Sequence, residues 1–145
     1  MQLKNIPIPE AHIFGIVLGV LLHFFFKVKF FHLSWIGHLI GWPLIVLGII
    51  LSIWATIEVG KMEISSPQRL VTSGPYACSR NPMYVGWSLI YLGITFILNS
   101  IWLVVFFPLI MVYIHLIEIT KEERWLEQKF GSTYRKYKNR VRKYM

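Results

Sequence analysis

The chain has 145 residues, of which 55% are hydrophobic and only 15% are charged, and its formal net charge is +8. These values, together with a mean hydropathy of +0.54, lie well outside ordinary soluble usage and indicate a membrane protein. The single cysteine, Cys78, excludes both a disulfide framework and a cysteine-ligated metal site, and we predict no bound metal.

Two apolar runs in the first half of the chain predict two membrane spans. The first, at about 11–29, is slightly short unless Lys27 and Lys29 snorkel toward the interface, and the second covers about 35–57. No small-residue cleavage site follows the first run, so we expect that helix to be retained rather than removed as a signal peptide.

A third apolar stretch is too long for one span. Between Arg80 and Glu118 the chain runs 37 residues without a charge, which would extend roughly 55 Å as one helix against a hydrocarbon core of roughly 30 Å. Asn99-Ser100 is the polar pair near its middle and predicts a tight turn. The stretch therefore predicts a helical hairpin with spans at about 82–98 and 101–119, whose free ends meet on one side.

The predicted fold is all-α: one domain over 1–145, built as a multi-pass membrane bundle of four transmembrane helices with a cytoplasmic C-terminal helical tail. Of the 15 Lys and Arg residues, Lys27 and Lys29 lie on one side, which leaves 13, including Lys4, on the side of both termini. This asymmetry predicts that both termini are cytoplasmic. It also accounts for the net charge through attraction to anionic lipid, so nucleic acid is not an expected partner. The pattern does not indicate an oligomeric state.

A long loop precedes the hairpin and is a candidate for function. It is predicted from Glu58 to Arg80, a length at which loops are usually functional or disordered. Pro82 suits the first position of a helix, whose first-turn amides are left to a cap or a ligand. The alternative is structural, with Asn81 as the helix cap and Arg80 as a positive anchor.

Acidic residues emerge at the other end of the hairpin. Glu118 and Glu122 are four residues apart and share a helix face with His115, and Glu123 follows. Ionisable groups at membrane depth are candidates for function. The alternatives are pairing with nearby surface cations for the glutamates and an interhelical hydrogen bond for His115. The tail beyond Trp125 has the pattern of an interfacial amphipathic helix.

Four ordered blocks in the second half, 70–145, carry a family resemblance. They are Gly74-Pro75-Tyr76, Ser79-Arg80-Asn81-Pro82-Met83-Tyr84-Val85-Gly86, Glu122-Glu123-Arg124-Trp125-Leu126 and Phe130-Gly131-Ser132-Thr133-Tyr134-Arg135-Lys136-Tyr137. Together they resemble the C-terminal signature of the isoprenylcysteine carboxyl methyltransferase and phospholipid N-methyltransferase superfamily. The family pattern is Arg-His-Pro-x-Tyr, and Asn81 departs from it by replacing a histidine that could carry a proton.

The resemblance implies an enzyme that uses S-adenosylmethionine to methylate a membrane-embedded or lipid-linked carboxylate, amine or thiol. It implies that this half of the chain is catalytic and that the cofactor lies between the start of the third helix and the segment after the fourth. The cofactor-binding residues it implies are Tyr76, Arg80, Asn81, Pro82, Tyr84, Glu122 and Glu123. An amine acceptor would also need a base, for which Glu118 and His115 are the candidates.

Two other classes remain open. Membrane sterol and steroid reductases share an Arg-His-Pro-x-Tyr-like block and use NADPH, although their block commonly continues Gly-Glu where this chain has Gly86-Trp87. A membrane scaffold or transporter subunit would use the polar ends as anchors only, but the spans contain no charge that would mark a translocation path.

Overall fold

The computed structural model describes residues 9–32, 34–65 and 69–144, without the side chains of 62–65. Lys4, counted above among the cytoplasmic cations, lies outside these residues. The described chain contains helices and no strand, which confirms the all-α prediction. The helices are α1 (Glu10–Phe25), α2 (Ser34–Ser65), α3 (Pro82–Leu98), α4 (Ile101–Tyr113), α5 (Ile119–Phe130) and α6 (Ser132–Arg140), with a 3-10 turn at Gly74–Ala77 and a π-helical turn at Ile114–Glu118.

Helices α2 and α3 pack along most of their length through facing glycines. A Cβ atom on Gly41 would lie 2.6 Å from the carbonyl oxygen of Gly93, and one on Gly48 would lie 2.5 Å from that of Gly86. Backbones can approach this closely only where neither helix carries a side chain at the contact. The small-residue spacing in α2 therefore marks the face that meets α3.

Helix α1 packs against α4 rather than against α2, and glycines of α1 face side chains of α4. Gly15 of α1 faces Ile110, and Gly19 faces Leu103. Because the sequence number rises along α1 as it falls along α4, these two helices are antiparallel. The start of α1 therefore lies at the same end of the bundle as the end of α4.

The predicted turn between α3 and α4 forms at Asn99. This residue adopts the left-handed conformation, with φ of 51° and ψ of 45°, which asparagine tolerates better than most side chains. Its side-chain oxygen accepts hydrogen bonds from the Phe30 and Phe31 amides at 3.1 and 2.8 Å, and its amide nitrogen donates to the Phe31 carbonyl at 2.8 Å. The turn thereby holds the α1–α2 connection at this end.

Three predicted boundaries differ from the structure. Helix α2 continues eight residues past Ile57, so the part of the expected loop from Glu58 to Ser65 is helical. A polar stretch can extend a helix once packing has nucleated it. Helix α1 ends at Phe25 instead of residue 29. The tail expected as a separate helix is α5, which follows α4 through the π-helical turn without a break.

The apolar surface of the bundle is consistent with a membrane environment. The two helical stretches Ser34–Lys61 and Ile101–Phe130 are long and apolar enough to cross a membrane, and α1 and α3 are shorter apolar helices. Large side chains on the outer faces stay exposed, as Phe14, Trp42 and Leu109 show. Four spans with cytoplasmic termini remain a prediction.

Candidate functional site

The corner before α3 is clamped to the C-terminal tail. The Arg80 amide donates to the Arg142 carbonyl at 2.9 Å, and the Asn81 side-chain amide donates to the Lys143 carbonyl at 3.0 Å. The Ser79 hydroxyl donates to the same Lys143 carbonyl at 3.3 Å. Asn81 occupies the N-cap position of α3, as the structural alternative expected, but its side chain makes no capping hydrogen bond. Asn81 instead holds residues 142–143 as a strap against the corner.

The two ends of the α3–α4 hairpin meet through Arg80 and Glu123. The Arg80 guanidinium donates to a Glu123 carboxylate oxygen at 2.9 Å, and the two side chains are only 10% and 15% exposed. Lys138 and Lys143 also approach this carboxylate, at 3.7 and 3.8 Å. A half-buried carboxylate is thus surrounded by three cations. The Arg80 Nε atom is buried and has no hydrogen-bond partner among the described residues.

Glu122 lies beside this cluster, one turn beyond the apolar stretch that ends at Ile117. The Tyr84 hydroxyl lies close enough to the Glu122 carboxylate to stabilise its ionised form. Oε2 of Glu122 is buried and lacks a partner among the described side chains and backbone. Burial, opposed by the Tyr84 hydroxyl and reinforced by the neighbouring carboxylates Glu123 and Glu118, raises the pKa of Glu122 to about 7. A cation placed next to this carboxylate would therefore stabilise its ionised form.

Tyrosines from the 3-10 turn and α6 close one side of the site. The Tyr137 hydroxyl donates to the Tyr76 carbonyl at 2.7 Å. Burial raises the pKa of the Tyr76 phenol, with a further contribution from Glu122. Burial likewise raises the pKa of the Tyr137 phenol. Both phenols therefore stay protonated and act as hydrogen-bond donors at neutral pH.

The two candidate bases lie in different cavities. Glu118 lines a groove between α1 and α4, whereas His115 is exposed on another side and its Nδ1 lies 2.8 Å from the Tyr144 hydroxyl. The prediction that they share one face is wrong, because the π-helical turn adds a residue to that turn and shifts the phase of the helix. Glu118 nevertheless remains close enough to Glu122 for their charges to interact.

The structure brings together most of the residues that the sequence singled out. Tyr76, Arg80, Tyr84, Glu122 and Glu123 surround one region, with Asn81 and Pro82 buried behind it. His115 is separate. The sequence missed three residues near the site: Lys138 of α6, Lys143 of the strap, and Tyr144 just after the strap. The available signal was the spacing of Tyr134, Tyr137 and Val141, which together pack on Leu70, Leu126 and Phe130.

The described residues of the site do not form a cluster of metal-binding side chains. Within residues 9–32, 34–65 and 69–144 no group of three or more His, Cys, Asp or Glu side chains could hold an ion. In this site the buried atoms without hydrogen-bond partners among the described residues are Nε of the Arg80 guanidinium and Oε2 of the Glu122 carboxylate, two groups of opposite charge. Such a pair suits an organic ligand that carries both a carboxylate and a cation.

Comparison with known proteins adds a family to this geometry. The sequence profile of the phospholipid methyltransferase family matches residues 36–133. The protein-S-isoprenylcysteine O-methyltransferase of Schizosaccharomyces pombe is 36% identical over 72 residues, which are 50% of this chain and 30% of that protein. The chain thus aligns with less than a third of that relative's length. No solved structure matches the chain significantly.

Proposed function

Because the chain belongs to the phospholipid methyltransferase family, we propose that it transfers a methyl group from S-adenosylmethionine to a membrane-embedded or lipid-linked acceptor. The observation that carries the proposal is the contact between the two hairpin ends, where Arg80 meets Glu123 beside Glu122. This contact brings the second and third family blocks to one place on the polar end of an apolar bundle.

The residues present fit the methyl donor. Its amino acid part carries an ammonium and a carboxylate, and Glu122 Oε2 and Arg80 Nε are two buried atoms without hydrogen-bond partners among the described residues. Glu122 would hold the cationic groups, and Arg80 with the first amides of α3 would hold the carboxylate. Glu123 positions Arg80 for this role. Tyr76 and Tyr84 would line the pocket.

The chemistry needs alignment more than covalent help. When bound, S-adenosylmethionine supplies a methyl carbon on a sulfonium; the acceptor lone pair forms a bond to that carbon as the carbon–sulfur bond breaks and a neutral thioether leaves. The protein orients the acceptor and excludes water. A carboxylate or thiolate acceptor needs no base, whereas an ammonium must first lose a proton.

Binding of the donor can be tested directly. In titration calorimetry with S-adenosylmethionine, Glu122→Ala should lower the affinity at least tenfold, because it removes the carboxylate proposed to hold the cationic groups of the donor. Glu123→Ala should also lower the affinity, because it releases Arg80 from its ion pair. Glu127→Ala is the matched control, because Glu127 is paired with Arg135 on the outer face of α5. Unchanged affinity in both site variants would remove the proposed site. Binding of NADPH in place of S-adenosylmethionine would support a reductase.

We place this site on the cytoplasmic side of a four-span bundle, and the chain carries its own probe for that topology. Cys78 is the single cysteine, lies exposed just before the corner, and is free. In intact cells a membrane-impermeant maleimide should leave Cys78 unlabelled until the membrane is permeabilised. Cys78→Ser combined with Lys29→Cys should be labelled without permeabilisation. The opposite labelling pattern would show that Cys78, and with it the proposed site, lies on the other side of the membrane.

A further inference from the structure

The groove between α1 and α4 has a volume of about 600 Å³, within the range of about 300–1,000 Å³ typical of ligand pockets. Its walls are apolar side chains, among them Phe14 and Leu18 of α1 and Phe106 and Leu109 of α4. Phe14 and Leu109 remain 68% and 63% exposed. The groove is therefore open along the outer, apolar surface of the bundle, where a lipid chain could enter from the side.

Two carboxylates line the polar end of this groove, which the Tyr113 side chain also lines. Glu10 lies at the start of α1 and Glu118 at the end of the π-helical turn, and the antiparallel packing of α1 on α4 brings both to the end that holds the site. The charges of Glu10 and Glu118 are close enough to interact. Within the described parts of the chain, neither side chain forms an ion pair within 4 Å of a basic group, and Glu118 Oε2 is buried without a hydrogen-bond partner.

We propose, on the basis of the proposed function, that this groove binds the apolar chain of the acceptor and that the acceptor's polar end is an amine. Lys121 lies near enough to Glu118 for their charges to interact, but two acids against one cation leave this end of the groove negative. It therefore attracts an ammonium and repels a carboxylate, and the apolar walls strengthen both effects. The class of acceptor is thus a lipid amine, and a prenylated carboxylate is disfavoured.

In this arrangement Glu118 can also act as the general base. An ammonium has no lone pair, so it must release one proton before it can form the new nitrogen–carbon bond. The Glu118 carboxylate can accept that proton, while the carbon–sulfur bond of the donor breaks to give the thioether. The Glu10 carboxylate, at the same end of the groove, would stabilise the methylated ammonium product. Helix α1 lies outside residues 36–133, so the family match covers Glu118 but not Glu10.

Native mass spectrometry without methyl donor tests the acceptor class apart from the reaction. Purified protein in neutral detergent is given an equimolar mixture of hexadecylamine and palmitic acid, which have chains of equal length. We expect at least a tenfold excess of the amine adduct. The net charge of +8 would favour the acid at a non-specific site, so an excess of amine requires an acidic site, and the variants below distinguish the groove from Glu122. Equal adducts, or an excess of the acid, would overturn the proposal.

Variants locate the effect. Glu10→Gln combined with Glu118→Gln should bring the adduct ratio close to one, whereas Glu127→Gln should leave it unchanged. Leu18→Trp should fill the groove and remove both adducts, whereas Leu21→Trp, on the exposed side of the same helix, should remove neither. A preference that survives the double substitution would refute the role of the acid pair. Calorimetry with S-adenosylmethionine on the same wild-type sample reports separately whether the proposed function holds.

Discussion

Arg80 and Glu123 are 43 residues apart in sequence, yet they form a 2.9 Å hydrogen-bonded ion pair with both side chains largely shielded from solvent. The pair joins the residue before the start of α3 to α5, at the polar ends of the hairpin. It therefore fixes how far the polar ends of the hairpin can separate, and with them the groups proposed to bind the methyl donor.

Removing one member of this pair should cost stability. Arg80→Ala leaves Glu123 with two more distant lysines, and breaking a buried ion pair costs about 3–5 kcal/mol. We expect a value near the lower end of that range, because Lys138 and Lys143 remain. Thermal unfolding of Arg80→Ala, Glu123→Ala and the double variant measures the coupling. Strictly additive losses would show that the two side chains do not stabilise each other.

The raised pKa of Glu122, about 7, predicts a pH-dependent affinity for the methyl donor. Only the ionised carboxylate attracts a cation, so the affinity should rise as the pH increases from 6 to 8. Calorimetry across this range measures the slope, and Glu122→Gln should both weaken binding and abolish the slope. An equally steep slope in the variant would assign the titration to another group.

The same shift predicts a change in stability with the opposite sign. The folded protein holds the Glu122 proton up to about pH 7, whereas the unfolded chain releases it near the ordinary pKa of about 4.3. Because the folded state binds more protons between these values, ionisation disfavours folding, and stability should fall as the pH rises through this window. Denaturant unfolding of wild type and Glu122→Gln at pH 4.5 and pH 7.5 isolates this contribution, which should be missing from the variant.

The clamp between Asn81 and the strap should be measurable locally. Asn81→Ala removes the donor to the Lys143 carbonyl, a loss of about 1 kcal/mol. Hydrogen exchange of the Arg80 amide, which donates to Arg142 in the same clamp, should accelerate. The Asn99 end of the bundle should keep its protection. Equal acceleration at both ends would indicate general destabilisation instead of a released strap.

Two glycines of α2 should respond in opposite ways to the same substitution. Gly48→Ala places a Cβ 2.5 Å from the Gly86 carbonyl oxygen and should destabilise the protein by about 1–3 kcal/mol through forced separation of α2 and α3. Gly60→Ala meets nothing within 4 Å and should stabilise α2 by about 0.5–1 kcal/mol. Unfolding measurements on both variants decide whether the glycine contact is required.

The sequence predicted the features that depend on composition and local chemistry. The Asn99-Ser100 turn followed from one polar pair inside an apolar stretch too long for one span. The meeting of Arg80 with Glu123 followed from the hairpin that this turn creates. In each case a short pattern or a simple length limit was sufficient.

The parts that the sequence did not predict depend on backbone geometry and distant contacts. The strap is held by the carbonyls of Arg142 and Lys143, and every residue has a carbonyl, so no pattern marks it. The π-helical turn arises within an ordinary helical sequence, and its single extra residue separates His115 from Glu118. The roles of the site residues remain predictions.

The packing of α1 on α4 has a consequence for how the proposed activity could diversify. The groups proposed to hold the methyl donor come from α3, α5 and the strap, whereas one wall of the groove and one of its two acids come from α1. Replacement of α1 alone could thus change which acceptor is bound while the groups proposed to bind the methyl donor stay the same. The specificities for acceptor and donor could then evolve independently within one small bundle.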